Sequence, residues 1–128
     1  MSTTATRPSR TTAREVPASE RRLARRHRLL QRCLVRPQGA VGAQDWRCIA
    51  YNISTTGIGI TLPYPAVPGT VVEIEAWGLP AALPLRARVL HSKPVGFLWF
   101  CGCELVSRLR EHEVQDWRAG PTDWFSQY

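Results

Sequence analysis

Lysine is all but absent from this sequence: sixteen of its seventeen basic residues are arginine, and Lys93 is the exception. Histidine is scarce too, at His27, His91 and His112 only. None of the three stands beside a serine or cysteine in a nucleophile setting such as G-x-S-x-G. There is no P-loop and no G-x-G-x-x-G turn to cradle a phosphate. No two carboxylates share an apolar setting that would drive their pKa values apart. The working parts of hydrolases, kinases and dehydrogenases are missing. The chain reads as a binding module rather than an enzyme, with no cofactor.

Long hydrophobic runs are missing as well. No stretch approaches the 18 or so consecutive apolar residues of a membrane span, so a soluble chain with no membrane insertion is expected. The first twenty residues have the Arg/Ser/Thr bias of a transit peptide, which a disordered tail shares. They lack the apolar core of a secretory signal, and the tail is the reading adopted, in a cytoplasmic protein. The four cysteines, Cys33, Cys48, Cys101 and Cys103, do not form the C-x₂₋₄-C pairs of a zinc site. Cys101 and Cys103 are two apart, so they share one face of a strand. All four are expected as reduced thiols buried as small hydrophobes, with no metal bound.

What the chain does have is 44% hydrophobic residues in 128, enough for one small core. Its net charge of +7 is unevenly spread. Residues 1–36 hold ten Arg and two Glu, a net of +8, and the remainder is close to neutral at −1. The positive charge therefore belongs to an N-terminal arm. Arginine offers a planar fork of donors that matches phosphate and the guanine Hoogsteen edge, and it stacks on rings.

Six short segments follow at roughly ten-residue intervals, punctuated by Pro and Gly. "CLVRP" begins the series at Cys33. "DWRCIAYNIS" sets Ile49, Tyr51 and Ile53 against Cys48 and Ala50. "GIGITL" alternates Ile58, Ile60 and Leu62, and "GTVVEIEAW" sets Val72, Ile74 and Ala76 against Glu73 and Glu75. "LPLRARVLH" alternates Leu83, Leu85, Ala87 and Val89, and "GFLWFCGCEL" puts Phe97, Trp99, Cys101, Cys103 and Leu105 on one side. This spacing predicts an all-β chain of about six strands folded as a small antiparallel barrel or sandwich, and a closed barrel would leave no exposed sheet edge. "SRLREHEVQDWR" predicts a closing helix capped by Ser107, docked through Leu109, Val114 and Trp117. The expected organisation is a disordered tail over 1–19, a basic arm or short helix over 20–31, the barrel over 32–106, the helix over 107–118 and a C-terminal tail over 119–128.

Two patterns remain. In "NISTTG", Asn52 and Ser54 are two apart at a strand end, which places their side chains on one face. Gly57 permits an unusual turn or the close approach of a ligand to bare backbone. A hairpin turn held by local side-chain hydrogen bonds accounts for the same residues. In "RLLQR", Arg28 and Arg32 are four apart, as are Arg22 and Arg26 upstream.

Taken in order, the basic pair, "CLV", "NISTTG" and the strands closing in "GCEL" resemble the PilZ domain, the bacterial receptor module for cyclic di-GMP. The resemblance covers about Arg26 to Val106. It implies a six-stranded barrel and an arginine pair that folds over the dinucleotide. Carried over, Arg28 and Arg32 contact guanine edges and phosphates, because Arg32 abuts the first expected strand; Arg22/Arg26 is the alternative pair. Asn52, Ser54 and Gly57 then line the other side of the guanine, and His91 is either a rim histidine or a further ring beside it. Closure of the arm is the expected signal to a downstream protein partner not specified by the sequence. The rival readings are a PilZ-like adaptor that binds no nucleotide and a nucleic-acid-binding barrel. The second is disfavoured because the barrel's Trp and Phe residues fall on predicted core faces rather than on a stacking surface.

Overall fold

The computed structural model describes residues 24–38 and 45–119. The tail expected over 1–19 lies outside the described residues, as does the C-terminal tail beyond Ala119. Six strands alternate along the chain: β1 (His27–Pro37), β2 (Trp46–Ile53), β3 (Gly57–Leu62), β4 (Val71–Ala76), β5 (Leu85–Val95) and β6 (Leu98–Leu105). All pairings are antiparallel, and the order β1-β2-β3-β6-β5-β4 closes on itself because β1 also pairs with β4. The expected barrel is the observed one.

Alternation fills its interior. Cys33 and Val35, Ile58 and Ile60, Val72 and Ile74, Ala87 and Val89, and Cys101 and Cys103 point inward in pairs two apart. The four cysteines are all buried and free. Cys33 and Cys48 face each other across β1 and β2. The Cys48 thiol is pushed far up from its ordinary pKa, first by its hydrogen bond with the Cys33 thiol and then by burial. Burial, with Cys101 beside it, pushes the Cys103 thiol up to about 12. Low-dielectric walls disfavour the thiolate, so these groups behave as core methyls do.

Four sequence expectations need correction. First, β1 begins at His27, six residues before Cys33, so residues 27–31 are strand rather than arm or helix. Leu29 packs on the core and Gln31 is buried, and pairing with β2 outweighs the local helix propensity. Second, β2 does not keep one face throughout. Cys48 and Ala50 point inward, the ladder slips between Ala50 and Asn52, and Ile53 then turns inward while Tyr51 is exposed. One extra residue in a bulge reverses the two-residue phase.

Third, the Trp and Phe residues of the strands and their turns are not buried in the core, although Trp46 packs against it. Phe97 sits at a hairpin turn, fully exposed; Trp77 is exposed, and Trp46, Trp99 and Phe100 are half-buried. Leu83, expected to alternate inward, is exposed before β5 begins. The aromatic argument against nucleic acid therefore does not carry over. Fourth, the helix α1 spans Glu111–Arg118 and Ser107 does not cap it. Leu109 N–H donates to Thr55 O at 2.8 Å, which holds the chain extended until Arg110. The Arg110 N–H is taken by Glu113 Oε1 at 2.7 Å, one half of a capping box.

Leu109, Val114 and Trp117 are buried as expected, with α1 against β1. The Trp117 indole Nε1 donates to Leu83 O at 2.8 Å. Trp117→Ala removes that bond and a fully buried ring, and should lower the unfolding free energy by about 3–5 kcal/mol in a urea titration. The thiols make a second prediction. Between 9.0 and about 12 the folded chain keeps the Cys103 proton that the unfolded chain has lost. The Cys103 contribution to stability is thus constant below about pH 9 and is lost as pH rises toward 12. Urea midpoints at about pH 8 and about pH 10 will show the drop, and substitution of the cysteines will remove part of it.

Candidate functional site

The "NISTTG" segment ends β2, turns, and begins β3. Its turn is closed by Ser54 N–H donating to Gly57 O at 2.9 Å. The Ser54 hydroxyl oxygen accepts from the Thr56 and Gly57 N–H groups at 3.1 and 3.0 Å. Ser54 and Thr56 are both buried, and their hydroxyls lie 3.4 Å apart. Thr55 O and Thr56 O accept from Leu109 and Leu105 N–H at 2.8 and 2.9 Å, which ties the turn to β6 and to the approach to α1. Ser54 does not share an exposed face with Asn52. Its hydroxyl is turned into the hairpin, as the local hydrogen-bonding reading of the motif requires.

Asn52 is half-buried on the outer wall, and Gly57 is buried at the start of β3. The Arg26 guanidinium reaches across from the start of β1, and its Nη1 donates to Asn52 Oδ1 at 2.6 Å. A Cβ placed on Gly57 would stand 3.2 Å from Arg26 Nη2, so Arg26 passes close over bare backbone at the turn. Arg28 is the cross-strand partner of Asn52 and is exposed. Arg32 lies elsewhere. Its guanidinium stacks over the Trp77 ring, 5.1 Å from the centroid, with Arg47 over the same ring at 5.2 Å. Trp77 N–H donates to Arg32 O at 2.8 Å, so Arg32 belongs to the β1–β4 seam.

The structure thus brings Arg26, Arg28, Asn52 and Gly57 together and sends Arg32 to another face. The sequence criterion for choosing the arginine is that it abuts the first strand. Applied to a strand that starts at His27 instead of Cys33, it selects Arg26. Arg22, the other half of that pair, lies outside the described residues.

Around the outside of the barrel, one row of cross-strand partners runs Arg28, Asn52, Gly59, Gly102 and His91 on β1, β2, β3, β6 and β5. Its middle is floored by two glycines. A Cβ on Gly59 would stand 2.6 Å from Asn52 Nδ2 and 2.8 Å from Phe100 Cζ, and one on Gly102 would collide with the His91 imidazole. The Asn52 amide, the edge of Phe100 and the His91 ring therefore lie down on backbone where larger residues would hold them off. Next to this row, Gly57 pairs with Glu104, which takes an ion pair from Arg88 at 3.1 Å. The result is a shallow shelf with a guanidinium at one end, an amide beside it and two rings along it. Sequence reading missed Gly59, Gly102 and Phe100. The signal was present in "GIGI" and "FCGC", where glycine takes the outward positions of strands whose inward positions are apolar.

Among the described residues no cluster of His, Cys, Asp or Glu is arranged to hold a metal ion. The buried Ser54 hydroxyl generates a direct test. Ser54→Ala leaves two buried N–H groups without their acceptor and should cost about 1–3 kcal/mol of stability, read from denaturant midpoints with no ligand present.

Among curated proteins, none matches the chain. A family model, the PilZ domain, matches residues 20–119, which takes in every strand, the arginines at the shelf and α1. The chain belongs to the PilZ domain family.

Proposed function

We propose that this chain is a receptor for cyclic di-GMP and acts by binding rather than catalysis. The carrying observation is the contact of Arg26 with Asn52 at 2.6 Å, over the bare backbone of Gly57. It makes the arginine segment and the "NISTTG" turn one constellation, as the general role of the family asks.

The ligand carries two phosphates and two guanines. A guanidinium takes guanine O6 and N7 together, worth about 1–3 kcal/mol of discrimination, and pairs equally well with phosphate. In this reading Arg26 leaves Asn52 for the ligand, and the freed amide offers both a donor and an acceptor to a guanine edge. Asn52 is neutral, so it binds that edge less strongly than a carboxylate would. Gly59 and Gly102 let Asn52, Phe100 and His91 lie low on the shelf, and the rings of His91 and Phe100 give a base something to lie against. Arg28 meets the second phosphate or base. Ser54 serves by holding the turn, and Arg32 makes no ligand contact. Closure of the arginine segment changes the surface that a downstream protein partner reads.

Isothermal titration with cyclic di-GMP tests this. Micromolar or tighter binding is expected, weakened about tenfold or more by Arg26→Ala and by Asn52→Ala, and changed less than about threefold by Arg32→Ala. Loss of binding on Arg32→Ala alone would reverse the assignment of the arginines. No heat at high protein concentration would leave the adaptor reading. Binding to random oligonucleotides with a steep salt slope, and no preference for the cyclic dinucleotide, would establish the nucleic-acid reading instead.

A further inference from the structure

The Arg26 guanidinium stands in a slot on the barrel wall. Its Nη1 donates to Asn52 Oδ1 at 2.6 Å, and its Nη2 lies 3.2 Å from where a Cβ of Gly57 would be. The same Cβ would stand 3.0 Å from Cys103 O. The floor of the slot is therefore bare backbone of β3 and β6.

Glu104 bounds the slot on the side away from Asn52. Gly57 and Glu104 are direct cross-strand partners. Partners of this kind project from the same face, with Cβ positions about 4.5–5.5 Å apart. Cys103 and Leu105 point into the core, so Glu104 between them points outward, over the wall that carries Asn52. Its side chain is only 14% exposed, and its Oε2 accepts from Arg88 Nη1 at 3.1 Å. A carboxylate has about four acceptor sites, so it takes several donors at once. The other carboxylates on or beside the described strands stand elsewhere. Glu73 and Glu75 lie on β4 opposite Arg36 and Leu34, and Asp45 is held by Arg36. Among the described residues, Glu104 is the strand carboxylate that borders the shelf.

The Watson–Crick edge of guanine, made of N1–H, C2 and N2–H₂, is itself a guanidine fragment. It is planar and presents its donors side by side, as the arginine head does. A slot that accepts one suits the other. An amide brings a single acceptor oxygen to that edge, whereas a carboxylate accepts from both nitrogens together. Asn52 therefore satisfies the edge only in part.

We propose that Glu104 is the carboxylate that selects guanine, reading N1–H and N2–H₂ together with Asn52 in the slot over Gly57 where the Arg26 guanidinium stands. This rests on the receptor reading above and adds to it the group that chooses the base. Arg26 and guanine compete for one set of acceptors, so the base enters as the guanidinium moves onto phosphate. Arg88 stays with Glu104 and positions its carboxylate.

Titration calorimetry with cyclic di-GMP and with cyclic di-IMP is the test. The hypoxanthine bases of the second ligand keep N1–H and lack the 2-amino group. The parent chain should prefer cyclic di-GMP by about tenfold or more. Glu104→Gln should lose about tenfold in affinity for cyclic di-GMP and bring the two ligands within about threefold of each other. Arg88→Gln removes the ion pair but keeps the carboxylate and a donor to it, so the preference should survive. Thermal midpoints of both variants close to that of the parent will show that folding is intact. No heat from the parent with either dinucleotide would overturn the receptor reading, and this inference with it. Binding by the parent with a preference that Glu104→Gln leaves unchanged would overturn the role of Glu104 alone. Equal tightening of both ligands in Glu104→Gln would overturn it too, and would make the carboxylate a restraint on Arg26.

Discussion

Strand β1 is hydrogen-bonded along both edges, to β2 on one side and to β4 on the other, and much else follows from that double pairing. It closes the sheet, so no strand edge is left as a template for aggregation. It also draws residues 27–31 out of a basic segment with helical leanings and makes them strand. Backbone bonds to β2 and the burial of Gln31 and Leu29 offset a helix preference of only a few tenths of a kcal/mol per residue. Arg26 is thereby delivered beside Asn52, at the mouth of the strand rather than on a free arm.

The same barrel divides its surface by chemistry. Its wall carries a row in which Gly59 and Gly102 lower the floor and Asn52, Phe100 and His91 lie across it. One end is closed by α1 and the tightly bonded Ser54 turn, both anchored through Leu105 and Leu109 to the strands around them. The other end is rich in exposed apolar side chains, with Asp45 held by Arg36 at its edge. The glycine-floored shelf and the apolar end thus occupy different parts of a chain of 128 residues. The turn that borders the shelf is also the turn bonded to the approach of α1.

Much of the fold was legible because barrel strands write their phase into the sequence. Ile58, Ile60 and Leu62, or Cys101, Cys103 and Leu105, are inward as alternation predicts. The failures share a cause. At β2 the phase reverses at a bulge, and nothing in "CIAYNI" marks the extra residue, because register depends on the partner strand. At the helix, Ser107 has the right chemistry for a cap but is held off by a hydrogen bond from Leu109 to a turn some fifty residues away in sequence. Phe97 read as core because it keeps step with Trp99 and Cys101, although the hairpin turns before the pattern reaches it.

By itself the sequence determined the class of fold, the family to which the chain belongs, and the pairing of an arginine-rich segment with an N-x-S-x-x-G turn. Those rest on local properties: side-chain polarity, two-residue alternation, turn chemistry and charge. Which arginine meets the turn, and which way each motif side chain points, only the tertiary structure decided. Arg32 is taken by the Trp77 ring, Ser54 by its own turn, and Arg26 by Asn52. Each of those choices depends on where β1 starts and on the bulges that set its register. Both are properties of paired strands, and neither exists until the strands have met.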